Sequence, residues 1–137
     1  MDKIKNKIIK NFLNKEELNL LTHYISVKHR LNDNELTFFA ENSSEPLIAT
    51  GLGCTDNIGY GDMVFDSLLV CKTELMEQET GLSLLPTYSY WRMYTYGAFL
   101  KKHKDRPACE ISLTVDLGGD KKWPIFIDDK PFLSEPG

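Results

Sequence analysis

His103 and Asp105 are the residues of this sequence whose types and spacing are best suited to chemistry. In a β-strand, side chains two residues apart leave the same face, so the imidazole and the carboxylate can converge on one cation while Lys104 points away. Mixed ligands of this kind suit iron, and a facial-triad Fe(II) site needs two imidazoles and one carboxylate. The pair therefore predicts two of the three protein ligands of an iron site.

The sequence on both sides of the pair predicts strands. Residues 88–96 place four tyrosines and Arg92 at alternate positions, as in a strand that is covered on both faces. Residues 109–117 alternate polar with apolar side chains, and residues 123–127 predict a further strand. Turns are predicted at 118–120 and 128–131, so that this half of the chain is a succession of short strands.

The N-terminal part predicts an entry strand followed by a helix. Residues 7–13 are rich in β-forming residues. Asn14 is a good N-cap, and Glu17 stands three residues later, which is the spacing of a capping box. Apolar residues at helical spacing follow, so we expect a helix that ends near His29. A lone histidine on such a helix, as His23 and His29 are, is typical of surface or packing residues rather than ligands.

The middle of the chain predicts one strand, a long loop and a second helix. The strand is expected at residues 36–40, the loop at 42–62, and the helix at 62–80, with Gly81 as its C-cap. Helices that precede a run of short strands favour an α+β domain over alternating βαβ units.

Length and composition are those of an ordinary globular domain. The chain has 137 residues, of which 42% are hydrophobic and 26% charged, and its net charge is −4. We expect a single domain over residues 1–137, with a helical part at about 1–85 and a strand part at about 86–137. The negative charge argues against nucleic acid as a partner. The charged N-terminus and the absence of a long apolar run favour a cytoplasmic protein with no membrane partner.

The neighbourhood of the pair resembles a known family. Tyr94, then Gly97, His103 and Asp105 three, nine and eleven residues later, match the spacing of the prolyl 4-hydroxylase-like branch of the 2-oxoglutarate and Fe(II)-dependent dioxygenases. Residues 11–17 are similar to the strand-to-helix entry of that family. The resemblance extends over residues 8–137, and the order of helices and strands makes it more specific than the His-x-Asp pair alone.

The resemblance implies both a fold and an activity. The fold would be a double-stranded β-helix, a cupin-like jelly-roll barrel, buttressed by the N-terminal helices. The activity would couple oxidative decarboxylation of 2-oxoglutarate to hydroxylation of a C–H bond in a peptide, an amino acid or another small substrate. Fe(II), 2-oxoglutarate and O₂ are the cofactors and co-substrates that this implies, and ascorbate is compatible with it.

The resemblance also implies roles for individual residues. His103 and Asp105 would be the proximal histidine and the carboxylate that bind the metal. Tyr94 matches the tyrosine that reaches 2-oxoglutarate in relatives. Ser112 and Thr114 are candidates for the wall of the cofactor pocket, and Arg106 for orienting Asp105 or contacting substrate.

In the family, the second histidine ligand follows a Pro-Gly turn, and the basic residue for the far carboxylate of 2-oxoglutarate lies beyond it. This chain ends at Pro136 and Gly137. We therefore expect the N-terminal portion of an oxygenase whose last strands are missing, with weak metal binding. Exposed strand edges then predict self-association.

Two other function classes fit the same residues. One is a catalytically inactive jelly-roll module that binds a peptide or protein, without dependence on metal. The other is a cupin-type structural or sugar-binding domain, in which the tyrosine-rich strand stacks on a ring.

Overall fold

The structure is a computed structural model that describes residues 6–42, 58–94, 100 and 102–137, without the side chains of residues 31–42 and 58. The chain divides into two compact units. The first comprises residues 1–32 and 112–137, and the second comprises residues 33–111. The single domain predicted above stays a prediction.

Helix α1, Lys15–Asn42, begins in the first unit and starts where the sequence predicts. The side-chain oxygen of Asn14 accepts a hydrogen bond of 2.8 Å from the backbone nitrogen of Glu17. The carboxylate of Glu17 accepts one of 2.9 Å from the backbone nitrogen of Asn14. This reciprocal pair is a capping box, which satisfies two backbone donors that the helix start leaves open. The prediction of the cap is confirmed.

The end of α1 was predicted wrongly. We expected the helix to stop near His29 and a strand to form at residues 36–40, but the helix continues to Asn42. Between Lys15 and Asn42 the sequence contains neither glycine nor proline. A helix that meets no such residue has no local reason to end, and the weak β-propensity of a few aromatic and branched residues does not override it.

The entry strand at residues 7–13 and the strand at 109–117 were also predicted wrongly, because neither segment is a strand. Asn11 adopts a left-handed φ of 55°, which interrupts an extended backbone. The carbonyls of Asp116 and Leu117 accept hydrogen bonds from the Gly137 nitrogen and the Thr22 hydroxyl, at 2.9 and 3.1 Å. At Asp116 and Leu117, hydrogen bonds to a helix side chain and to another loop thus take the place of hydrogen bonds between strands.

The first unit packs its apolar residues around the start of α1. Phe12, Leu13, Leu21 and Ile25 are buried, and the last two are four residues apart on one side of the helix. A hairpin of β3, Ile125–Ile127, and β4, Lys130–Phe132, belongs to the same unit. Asp128 and Asp129 form its two-residue turn with φ of 50° and 62°, as expected of a turn that needs positive φ at both positions.

The second unit contains two short helices and a small sheet. Helix α2, Met63–Cys71, begins at Asp62, whose carboxylate accepts a hydrogen bond of 3.0 Å from the Val64 nitrogen. Helix α3, Thr73–Thr80, ends at Gly81 with a left-handed φ of 70°. The predicted helix at 62–80 is thus two helices joined at Lys72, and the predicted C-cap at Gly81 is confirmed.

Strands β1, Ile58–Tyr60, and β2, Tyr90–Arg92, form the sheet of the second unit. They pair antiparallel, with Gly59 opposite Trp91 and Tyr60 opposite Tyr90. Strand β2 is shorter than the strand predicted at 88–96. The described residues form two separate two-stranded sheets and no double-stranded β-helix, and the jelly-roll fold stays a prediction.

Candidate functional site

The candidate metal ligands lie on irregular backbone of the second unit, not on the expected strand. Their side chains nevertheless meet, because the Nε2 atom of His103 is 3.5 Å from the Oδ1 atom of Asp105. The two side chains keep 34% and 52% of their surface exposed. The pair is therefore open to a cation from solvent.

The spacing of the two ligand atoms fits a bound divalent metal. With metal–ligand bonds of about 2.1 Å, two neighbouring ligand atoms are about 3.0 to 3.4 Å apart, depending on whether the site is octahedral or tetrahedral. The separation of 3.5 Å is close to that range. In the part of the chain that the structure describes, no group of three or more His, Cys, Asp or Glu side chains could hold a metal. The roles of His103 and Asp105 as metal ligands stay predictions.

A turn follows the pair and directs Arg106 toward an aromatic ring. The Cys109 backbone nitrogen donates a hydrogen bond of 2.8 Å to the Arg106 carbonyl, which closes the turn through residues 107 and 108. The Arg106 guanidinium carbon lies 5.9 Å from the centroid of the Tyr88 ring. At this distance the cation interacts with the face of the ring.

Tyr88 and Cys109 form a contact that the sequence did not indicate. The Tyr88 hydroxyl and the Cys109 thiol share a hydrogen bond of 3.0 Å. This bond raises the pKa of Tyr88 above its ordinary value, and partial burial adds to the effect. Cys109 is a free, half-buried thiol. Its bond to Tyr88 links the residues just before β2 to the segment that follows the His103–Asp105 pair.

The β1–β2 pair has one buried face and one face that carries tyrosines. Trp91 is buried on the inner face, where its ring lies against the backbone of Gly59. Ser89, on the same side, donates from its nitrogen and its hydroxyl to Asp66, at 2.9 and 2.6 Å. The outer face carries Tyr60, Tyr88, Tyr90 and Arg92, and we call these four residues the tyrosine face. Alternation of side chains along the strand puts them there.

The remaining predicted site residues lie on other segments of the chain. Tyr94 follows β2 by two residues and is 37% exposed. Ser112 and Thr114 are exposed and belong to the first unit. Gly97, part of the spacing that carries the resemblance, lies outside the described residues. The roles of Tyr94, Ser112 and Thr114 stay predictions.

Two grooves are formed by residues of the first unit. A groove of about 530 Å³ in the first unit is lined by the start of α1 together with Leu117, Gly118 and Pro136. A second, of about 320 Å³, lies along residues 116–122 and 134–136. None of the predicted site residues lines either groove.

The chain was compared with family models, with curated proteins and with solved structures. No protein-family model, curated protein or solved structure matches the chain. Among the described helices, none is long and apolar enough to span a membrane.

The sequence pattern missed three members of this region. Tyr60 lies thirty residues from Tyr90, and no local signal pairs the two. Gly59 was passed over as part of the predicted loop at 42–62, and Cys109 as the first residue of the predicted strand at 109–117. The tyrosines at 88 and 90 were the available signal, because alternate aromatics in a strand share a face.

Proposed function

We propose that this chain is part of an Fe(II)- and 2-oxoglutarate-dependent oxygenase that hydroxylates a small molecule or a peptide. The observation that carries the proposal is the 3.5 Å approach of His103 Nε2 to Asp105 Oδ1. A histidine and a carboxylate are two members of the facial triad that leaves iron positions open for co-substrates. The resemblance of residues 94–105 to the prolyl 4-hydroxylase-like branch supports the same class.

Each residue has a defined part in the proposal. Neutral His103 offers the Nε2 lone pair to the metal, and Asp105 offers a carboxylate oxygen and one negative charge. The bound iron would supply activation of O₂ together with 2-oxoglutarate. Tyr94 would donate its hydroxyl proton to an oxygen of 2-oxoglutarate and so orient it. Arg106 follows Asp105 directly in the sequence, and its guanidinium lies over the Tyr88 ring. It would supply a positive charge next to the two metal ligands.

Metal binding gives the most direct test. Titration of the purified chain with Co(II), followed by its visible absorption, should show binding that is lost in His103→Ala and in Asp105→Ala. His23→Ala is the matched control, because His23 is also exposed but its Nδ1 contacts the carbonyl of Asn19 within α1. Loss of one of the two ligands should weaken metal binding by about tenfold or more, because loss of a residue that only hydrogen-bonds to a ligand already lowers metal affinity by about that factor.

Turnover tests the remaining part. In the whole oxygenase of which this chain would be part, succinate should form from 2-oxoglutarate only when Fe(II) is present, and both ligand variants should abolish it. Co(II) binding that persists in both variants, or succinate formation that does not need His103, would contradict the proposal.

A binding module without catalysis is the second candidate, and the tyrosine face favours it. Three tyrosines and an arginine on one side of a strand pair are typical of a recognition surface. This candidate predicts ligand binding that is unchanged when metal is removed with a chelator.

A further inference from the structure

The tyrosine face is a continuous aromatic surface. The rings of Tyr60 and Tyr88 lie 4.9 Å apart between centroids with 40° between their planes, and Tyr60 and Tyr90 lie 6.4 Å apart at 67°. Tyr60 is 59% exposed and Tyr90 is 40% exposed. Burial of Trp91 on the opposite side holds the strands in place, so these rings remain available at the surface.

Two arginines border this surface. The Arg92 guanidinium carbon lies 4.9 Å from the centroid of Tyr90, and that of Arg106 lies 5.9 Å from Tyr88. Among the described residues, neither guanidinium forms an ion pair with a carboxylate, and the Nη1 atom of Arg92 is buried with no hydrogen-bond partner. The guanidinium forks suit a carboxylate or a phosphate.

We propose that the tyrosine face, with Arg106, binds a small molecule that joins a planar ring to an anionic group, as a mononucleotide does. The ring would stack on Tyr60 and its neighbours, and the anion would meet the arginines. Rings 4.9 and 6.4 Å apart pack against one another, so one fused ring system would stack on the exposed side of Tyr60 rather than between two tyrosines. The net charge of −4 disfavours a polymer of phosphates, so a single small molecule fits this surface better than a nucleic acid strand.

Calorimetric titration of the whole chain with three probes tests the proposal: AMP, adenosine and inorganic phosphate. AMP should bind with a dissociation constant below 1 mM, on the order expected for a few stacking and charged contacts. Adenosine should bind about tenfold more weakly, because it lacks the anion, and phosphate should show no binding at the same concentrations. Metal and 2-oxoglutarate are omitted, so this result and the oxygenase proposal can fail separately.

Single substitutions separate the ring from the charge. Tyr60→Ala should weaken AMP binding about tenfold, the usual effect of losing one stacked aromatic. Tyr60→Phe should keep the affinity, since it keeps the ring. Arg106→Gln should weaken AMP about tenfold and leave adenosine unchanged. Tyr24→Ala is the matched control, because Tyr24 also carries a cation over its ring, Lys28 at 5.8 Å, but lies in the first unit.

Four results would overturn the proposal. They are no AMP binding at millimolar concentration, equal affinities for AMP and adenosine, unchanged binding in a Tyr60→Ala variant with an unchanged circular dichroism spectrum, and tighter binding of a single-stranded oligonucleotide than of AMP.

Discussion

The start of α1 and the β1–β2 pair are both well defined, but different kinds of contact hold them. Asn14 and Glu17, three residues apart, close the helix start with two reciprocal hydrogen bonds. The strand pair depends on Gly59 and Trp91, which are thirty-two positions apart in the sequence and lie opposite each other in the ladder. The capping box needs only the right residues within four positions of the sequence. The strand pair needs two distant segments of the chain to come together.

The candidate chemistry divides along the same line. His103 and Asp105 meet at 3.5 Å across a single intervening residue, so their contact is local in sequence, as the capping box is. The tyrosine face brings together Tyr60 with residues 88–92, so it exists only when the strand pair forms. The two proposals therefore differ in how much folded structure they need, and substitutions can separate them.

The largest effect is expected from Gly59→Ala. A β-carbon at this position would overlap the indole ring of Trp91, so one of the strands must move. We expect a loss of about 3 kcal/mol in the free energy of unfolding, the upper part of the range for overpacking a core. Urea denaturation followed by tryptophan fluorescence measures it. AMP binding at the tyrosine face should be lost as well, while Co(II) binding at the His103–Asp105 pair should remain.

Gly81→Ala is the matched control for this substitution. Gly81 also belongs to the second unit, but a β-carbon there has no heavy atom within 4 Å. Its left-handed φ of 70° still costs a side chain about 1 kcal/mol. Equal losses for the two alanine variants would show that backbone conformation, not contact with Trp91, sets the requirement for glycine at position 59.

The same division explains what could be predicted from the sequence. The predicted caps at Asn14 and Gly81 were correct, because each follows from a rule about residues within one turn of helix. The strand at 36–40 was wrong because the competition between helix and strand there was judged from propensity alone.

The candidate site follows this pattern as well. The His103–Asp105 contact could be predicted because the two residues are separated by one residue only, and such side chains can meet even on irregular backbone. The Tyr60–Tyr90 and Tyr88–Cys109 contacts could not, since no pattern in a single sequence encodes which distant segments pair.

A smaller effect is expected from Asn14→Ala, which tests the local contact. Its side chain accepts the Glu17 backbone proton, and alanine leaves that donor without its cap. The free energy of unfolding should fall by about 1 kcal/mol, the usual value for removing an N-cap. Asn19→Ala on the same helix is the control and should change stability by only a few tenths of a kcal/mol. Because Asn14 lies in the first unit, AMP binding should stay unchanged in both variants, and a parallel loss of binding would contradict the separation.

The smallest effect is expected from Tyr88→Phe, and its dependence on pH appears in alkaline solution. The hydrogen bond to Cys109, with partial burial, raises the pKa of Tyr88, so the folded state favours the neutral phenol. A raised pKa contributes stability that is complete below the unfolded value of about 10 and is lost as the pH rises through the folded pKa. The free energy of unfolding should therefore fall more steeply above pH 10 in the unmodified chain than in Tyr88→Phe.

The tyrosinate absorbance that disappears in Tyr88→Phe should titrate above pH 10 in the unmodified chain. Cys109→Ala should bring it back toward the ordinary range, because the thiol is the largest cause of the shift. If that absorbance titrates at or below pH 10 while Cys109 is present, the Tyr88–Cys109 contact does not hold the two segments together in solution.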